Sequence, residues 1–369
     1  MFLQIRLKVE DRQFHRFVFG DKHYQWCRVL FGNKSSPNIS QKVLVTLCHD
    51  NPQYGEAIKT VLESCYMDDC IDSRPLESDI IQLARELPPL LRSGGMKICK
   101  IFSNSREALE VTPPELRHTG VDLGAQDELW DSHKVLGMVY DPNQDMFGFQ
   151  ARYQTALEWQ DSIGGTWTKR EVLRVTASHY DPLGLASPLT IGPRRFFQKL
   201  WTQELGWDTP LSKDLVEAWL EVLEHLVGMT GLHFPRWSGD GVDSQAELHV
   251  FCDASSEVYA CSVYLRTYMG GGGWESRLLT AKARVTSLNT PSVSRSELDA
   301  CVLGVRMTAH LREVFPQTAI QAFYYTDSKN VLFWVSNTPK ALKVFVQRRV
   351  AEIHQVSRVA QWAHVGTAE

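Results

Sequence analysis

Residues 246–255 read Ala-Glu-Leu-His-Val-Phe-Cys-Asp-Ala-Ser, and this stretch decides the fold. Its first seven residues alternate in the period-two manner of a strand with one buried face. The strand then stops on an acid, Asp253, followed by small polar residues. Downstream, Val258 to Tyr268 reads as a second strand, and four consecutive glycines, Gly270 to Gly273, supply a turn. Arg277 to Val285 follows as a third strand, Glu297 to Val314 as a helix, Ile320 to Thr326 as a fourth strand and Ser328 to Ser336 as a helix. Three antiparallel strands, then helix, strand and helix, make a compact α/β unit.

Upstream, Pro235, Gly239, Gly241 and Ser244 mark a linker. The middle third reads as mostly helical. Thr168, with Glu171 three residues on, has the form of a capping box. Asp181-Pro182-Leu183-Gly184 breaks that helix, and helices resume over 193–204 and 213–228. The first 150 residues read as mixed α/β. Alternation around Phe17–Phe19 and Tyr24–Trp26, with Gly20-Asp21 between, predicts two short strands. Ser36 and Pro37 suit a helix start, with Ser36 as cap. Helices are expected over 39–47 and 54–62, and a short hairpin over 65–72. A helix over 78–87 is expected to end at Pro88-Pro89. A strand over 96–102 and a hairpin over 134–149, turning at Asp141-Pro142-Asn143, complete the region.

Of 369 residues, 43% are hydrophobic and 22% charged, which excludes dominant disorder and provides for more than one core. The formal net charge of −4 excludes binding to nucleic acid by bulk charge alone, though not by local basic stripes. Eight scattered cysteines contain no C-x-x-C pair, so neither a zinc module nor a disulfide framework is expected. No signal peptide and no apolar run of the ~20 residues needed to span a bilayer is present, so the expected location is intracellular, with no membrane partner.

Two constellations could carry chemistry. Tyr66-Met67-Asp68-Asp69 places two adjacent carboxylates at the tip of the expected hairpin. Such paired charge is costly without a cation such as Mg²⁺, although Asp-Asp is also a common solvated turn. Asp253 and Asp327 each end a strand, and Glu297 opens a helix. Singly these are good caps. Jointly they can meet at one sheet edge, bind two divalent ions and activate a water against a phosphodiester. The basic and aromatic run Arg194, Arg195, Phe196, Phe197, Lys199 and Trp201 reads as an amphipathic helix with its rings in the core. Lys340, Lys343, Arg348 and Arg349 read as an exposed helix face. Neither Asp-Ser-Gly nor Asp-Thr-Gly occurs, so aspartic proteolysis is not supported.

Taken in order, these motifs resemble the polymerase of LTR retrotransposons, most closely the BEL/Pao group. Arg28-Val29-Leu30-Phe31-Gly32 with Ser35-Ser36-Pro37 resembles the motif beside the nucleotide site, with Leu30 in place of the usual proline. Tyr66-Met67-Asp68-Asp69 resembles the metal-binding hairpin. Met96–Asn104 resembles the palm strand after it, and Lys134-Val135-Leu136-Gly137-Met138 the primer grip. Asp181-Pro182-Leu183-Gly184 and the 201–207 stretch resemble the Pao connection region. The last third resembles a tethered RNase H: Asp253, Glu297 and Asp327 match its first three acids, and 282–285 and 362–365 match flanking motifs.

The resemblance implies α/β and α+β architecture in three parts. These are a partial palm and the start of a thumb over 1–150, a helical connection over 151–243, and an RNase H-like mixed sheet with helices over 244–369. It implies Mg²⁺ (or Mn²⁺) held by Asp68 and Asp69 in one site and by Asp253, Glu297 and Asp327 in the other. It implies nucleic-acid contacts by Arg28, Phe31, Gly32, Tyr66, Met67, Lys282 and Arg284, and RNA template, RNA:DNA hybrid and dNTPs as partners of the intact enzyme. Met1-Phe2-Leu3-Gln4-Ile5 resembles the tail of the polymerase's first metal motif, whose Asp is then expected about four residues before Met1. A fourth RNase H acid is expected about four residues beyond Glu369. On that reading the chain alone does not polymerise, and the alternative is a catalytically incomplete remnant that at most binds nucleic acid.

Overall fold

The computed structural model describes residues 1–67, 69–118, 133–135, 137–150, 155–237, 245–289, 292–315 and 320–366. The chain divides into two compact units, Met1–Asp131 and Ser132–Glu369.

In the first unit, β1 (Arg16–Phe19) and β2 (Lys22–Gln25) form an antiparallel hairpin. Helices α1 (Ser36–Asp50) and α2 (Gly55–Glu63) follow, then the two-residue strands β3 (Cys65–Tyr66) and β4 (Asp69–Cys70). Helices α3 (Glu77–Ser93) and α4 (Arg106–Val111) come next. Leu44 and Leu47 of α1, Ala57 and Val61 of α2, and Leu83, Leu90 and Leu91 of α3 bury against one another as the core. That burial explains one departure from expectation. α3 runs through Pro88-Pro89, because the turn beyond them carries two core leucines whose burial outweighs the lost amide donors. Ser36 does not cap α1 either. It is the first helical residue, buried, and its hydroxyl donates to the Leu30 carbonyl at 2.6 Å. The expected strand over 96–102 does not form: among the described residues the segment makes a single bridge, Ile101 to Arg117, and no ladder.

The second unit opens with β5 (His133–Val135), β6 (Met138–Asp141) and β7 (Met146–Phe149). The β6–β7 turn is closed by the Asn143 amide donating to Asp141 Oδ1 at 2.8 Å. Helices α5 (Ala156–Ser162), α6 (Lys169–Ser178), α7 (Ser187–Leu200) and α8 (Lys213–Val227) follow. Thr168 caps α6 as its spacing predicts, accepting from the Glu171 amide at 3.3 Å. β8 (His233–Pro235) then returns to pair with β7, completing a four-stranded sheet. The hairpin over 133–149 is therefore tied to residues 233–235. Trp159, Trp167, Phe196 and Trp219 fill the core between these helices and strands.

The last elements are β9 (Ala246–Ala254), β10 (Val258–Tyr268), β11 (Trp274–Val285), α9 (Val293–Val314), β12 (Gln321–Thr326), α10 (Lys329–Ser336), α11 (Val344–Val356) and β13 (Trp362–His364). They form a five-stranded mixed sheet in the order β11-β10-β9-β12-β13. β9, β10 and β11 are antiparallel, whereas β12 runs parallel to both β9 and β13. Leu248, Val250 and Cys252 of β9 and Cys261, Val263 and Leu265 of β10 turn one face of the sheet toward α9. α9 is buried at every position from Leu298 to Val305 except Asp299, because α11 packs on its other side. Gly304 lets α9 approach the sheet: a Cβ there would stand 2.7 Å from Cys252 Sγ. α7 packs on β11, and the two regions are joined by hydrogen bonds from the Ala281 amide (2.9 Å) and the Thr280 hydroxyl (2.6 Å) to the Leu183 carbonyl. Gly184 sits at φ +73° in this junction, where a Cβ would meet the Ala281 carbonyl oxygen at 1.7 Å.

Candidate functional site

The topology brings the ends of β9 and β12 together. The parallel ladder pairs Tyr325 with Phe251, and Asp327 and Asp253 each follow two residues later. Both acids thus stand at the carboxyl ends of neighbouring strands, the edge at which open α/β sheets place ligands. The start of α9 is drawn to the same edge, since Asn330 at the start of α10 donates to Ser294 Oγ at 3.1 Å. Glu297 lies one turn beyond Ser294, half-buried.

The three carboxylates differ in surroundings. Asp253 is exposed, and its Oδ1 accepts from the Ala254 amide at 2.7 Å. Asp327 is half-buried, and its Oδ1 is fully buried without a hydrogen-bond partner among the described residues. A buried carboxylate oxygen left without a donor is costly, and a hard cation answers that deficit. The donor set at this edge therefore fits Mg²⁺ or Mn²⁺ in chemistry. Among the described residues, no group of three or more His, Cys, Asp and Glu side chains stands close enough to hold a metal ion. His364 of β13 lies beside the edge, its Nε2 3.1 Å from the Asp327 carbonyl oxygen.

Lys282 and Arg284 are exposed on β11. The basic run over 194–201 follows its amphipathic pattern in part: Trp201, expected in the core, is 53% exposed at the end of α7. Phe196 is buried against Trp219, while Arg194 and Arg195 are exposed, with Arg195 paired to Glu257.

In the first unit, β3 and β4 form the expected hairpin, with Tyr66 opposite Asp69 and both exposed. Met67 takes the left-handed φ of +55°. Asp68 lies outside the described residues. The hairpin overturns the expectation of wholly reduced cysteines: Cys65 and Cys70 are cross-strand partners, 4.2 Å apart at Cα, and form a disulfide. Their spacing of five residues around a hairpin tip was the available signal, and no C-x-x-C search finds it. Just beyond, Arg74 pairs with Asp72 at 2.9 Å and Glu56 at 3.3 Å, holding the hairpin's exit against α2. Arg28, Phe31 and Gly32 lie between β2 and α1. The Arg28 guanidinium donates to the Gln4 carbonyl at 2.8 Å, Phe31 is exposed with its ring edge against Phe2, and Gly32 has φ +82°.

No helix among the described residues is long and apolar enough to cross a membrane.

Residues 168–328 match the family model of the Pao retrotransposon-like RNaseH-like domain. No curated protein matches the chain. Among solved structures, it is similar to the foamy viral protease-reverse transcriptase in complex with an RNA/DNA hybrid, at 16% identity and a TM-score of 0.52, covering 98% of this chain and 42% of that one. The same foamy viral protein in complex with dsDNA matches at 14% identity and a TM-score of 0.51, over 98% and 64% of the two chains. Its dRH form with dsDNA matches at 13% and 0.53, over 99% and 54%. The chain thus spans less than two thirds of each of these proteins, and at such identities the likeness is one of fold. Residues 168–328 are thus similar in sequence to the Pao retrotransposon-like RNaseH-like domain, and the chain is similar in fold to the foamy viral protease-reverse transcriptase.

Proposed function

We propose that the sheet edge bearing Asp253, Glu297 and Asp327 cleaves the RNA strand of an RNA:DNA hybrid with the help of divalent cations. The observation that carries this reading is the placement of Asp253 and Asp327 at the carboxyl ends of adjacent parallel strands, each two residues beyond the Phe251–Tyr325 pair, with one buried Asp327 oxygen left without a partner among the described residues. Asp253 and Asp327, with Glu297 from α9, are the residues that would hold Mg²⁺ or Mn²⁺. When bound, such ions neutralise phosphate charge and lower the pKa of a coordinated water. The chain's own part is to fix the carboxylates on rigid strand ends and to present cationic side chains to the backbone. Lys282 and Arg284 on β11 supply phosphate contacts, and the hybrid would be read by its shape, phosphates and 2′-hydroxyls. In the first unit, Asp68 and Asp69 would serve a primer end and an incoming dNTP in the same chemical manner, with Arg28, Phe31, Gly32, Tyr66 and Met67 around them.

The test is cleavage of a labelled RNA:DNA hybrid by the purified chain in Mg²⁺ or Mn²⁺. Activity is expected to fall at least about 100-fold in Asp253→Asn and in Glu297→Gln, the scale on which loss of a charge-stabilising group acts. A chain that binds the hybrid but shows no cation-dependent cleavage, or variants that cleave as well as the parent, would leave the remnant reading in its place.

A further inference from the structure

A cavity of about 240 Å³ lies on the α9-covered face of the five-stranded sheet, between the β10–β11 edge and helices α9 and α11. Four guanidiniums line it: Arg284 from β11, Arg306 from α9, and Arg348 and Arg349 from α11. Two carboxylates, Asp299 and Glu352, face them. Tyr259 joins Arg284 in the wall because the two are cross-strand partners and so point to the same face.

The charges are unevenly matched. Arg306 makes a two-pronged pair with Glu352 at 2.5 and 3.0 Å, and Arg349 pairs with Asp299. Arg349 is further held with its guanidinium 3.5 Å from the Phe345 ring centroid. Arg284 and Arg348 have no hydrogen bond or ion pair among the described residues. The pocket therefore carries two unanswered positive charges on side chains that cannot deprotonate. Convergence of like charge is unfavourable unless an anion or solvent relieves it. The paired arginines clamp α9 to α11 and so fix the walls before any ligand arrives. The volume is below the roughly 300 Å³ at which pockets for drug-sized ligands begin, so a small group suits it. Guanidiniums match tetrahedral oxyanions in geometry, and a dianion matches the excess charge.

We propose that this cavity is a phosphate pocket that takes a dianionic phosphoryl group, with Arg284 and Arg348 as its direct contacts. Free inorganic phosphate and the terminal phosphate of a nucleic-acid strand share this chemistry. The pocket is separate from the acidic edge: it includes none of Asp253, Glu297 and Asp327. Arg284 also figures in the hybrid-contact proposal, whereas Arg348 does not.

The experiment is calorimetric titration of the full chain with inorganic phosphate, with chloride at matched ionic strength as control. Saturable binding with one site is expected. Arg348→Gln and the double variant Arg284→Gln/Arg348→Gln should weaken it about tenfold or more, and the double Lys variant should recover part of the loss. Both arginines are exposed, and circular dichroism with thermal unfolding checks that each variant is folded; Arg348→Gln alone suffices should the double variant fail to fold. A second arm compares a 5′-phosphorylated with a 5′-hydroxyl oligonucleotide of the same sequence. Tighter binding of the phosphorylated strand by the parent, lost in Arg348→Gln, assigns the pocket to strand ends; equal binding with saturable inorganic phosphate assigns it to the free anion. Absence of saturable phosphate binding, or a Gln variant that binds phosphate as the parent does, overturns the proposal. Neither result depends on hybrid cleavage, so the two readings fail separately.

Discussion

Asp253 and Asp327 each lie two residues beyond the paired Phe251 and Tyr325 of adjacent parallel strands, Asp253 near the end of β9 and Asp327 directly after β12. Their placement follows from register rather than from any flexible loop. A shift of one residue in the β9–β12 ladder would turn one acid to the opposite face.

The buried, partnerless oxygen of Asp327 makes cation binding visible in stability as well as in activity. A cation that binds the folded state alone raises stability by about 2.7 kcal/mol at a hundredfold excess over its dissociation constant. Mg²⁺ or Mn²⁺ should therefore raise the unfolding midpoint of the parent. Asp327→Asn should abolish that rise while costing little in cation-free buffer, since it removes a charge that has no partner there. Thermal melts with and without cation check this; an equal rise in the variant would rule it out.

Gly184 joins the helical region to β11 with a positive φ and no room for a side chain. Gly184→Ala combines backbone strain with a clash against the Ala281 carbonyl, and should cost roughly 3 kcal/mol or more. Urea unfolding reads the loss. Gly304→Ala meets side chains rather than backbone and should cost about 1–3 kcal/mol.

Asp145 is gripped by Arg236 at 2.6 and 2.8 Å and by the Tyr140 hydroxyl at 2.8 Å, linking the β6–β7 hairpin to the end of β8. Burial opposes the charged carboxyl, but the hydrogen bonds from Arg236 and Tyr140 and the Arg236 charge outweigh it and hold the group below the usual carboxylate range. Burial and the bond to Asp145 push the Tyr140 phenol up. A depressed carboxyl stabilises the fold above the unfolded value near pH 4, and that stability is lost as pH falls through the folded value. Asp145→Asn keeps a residue tolerant of the φ of +54° found there, so the charge is what it removes. It should lose about 1–3 kcal/mol at pH 7, and the gap to the parent should narrow at a pH below about 4, as the folded value is approached. Urea unfolding at the two pH values is the check.

The eight cysteines sort into three classes that alkylation and mass spectrometry can count. Cys27 and Cys99 are exposed and free and should react in the native protein. Cys65 and Cys70 should react only after reduction. Cys48, Cys252, Cys261 and Cys301 are buried and should react only on unfolding. Burial pushes the Cys48 thiol up and that of Cys261 up to about 12; a hydrogen bond with Cys301, then burial, raises that of Cys252. Modification of Cys252 under native conditions would contradict the packing of β9 against α9.

The strands of the last third were legible because their burial is one-sided, as the unbroken alternation of β10 shows from Cys261 to Thr267. The Thr168 cap was legible because it is local. What the sequence concealed was decided by distant partners. α3 continues past Pro88-Pro89 because of leucines whose burial depends on α1 and α2. β8 and β13, three residues each, exist only through the strands they pair with. α11 presents Val346, Val350 and Ile353 to the core, while Lys343 and Arg348 form the exposed face that was read from the sequence. The acids were nameable as candidates, but the bare oxygen of Asp327 and the pocket between α9 and α11 required the fold.

The bonds from Ala281 and Thr280 to Leu183 have a bearing on how this part of the chain can be divided. β11 is the outermost strand of its sheet, and the loop before α7 answers part of its otherwise open side. Excising residues 245–366 would bare that rim, with its amides and carbonyls free to recruit a strand from a neighbouring molecule. The helical region thus covers part of the edge of the sheet it adjoins. The two cores should melt together in a single cooperative transition rather than one after the other.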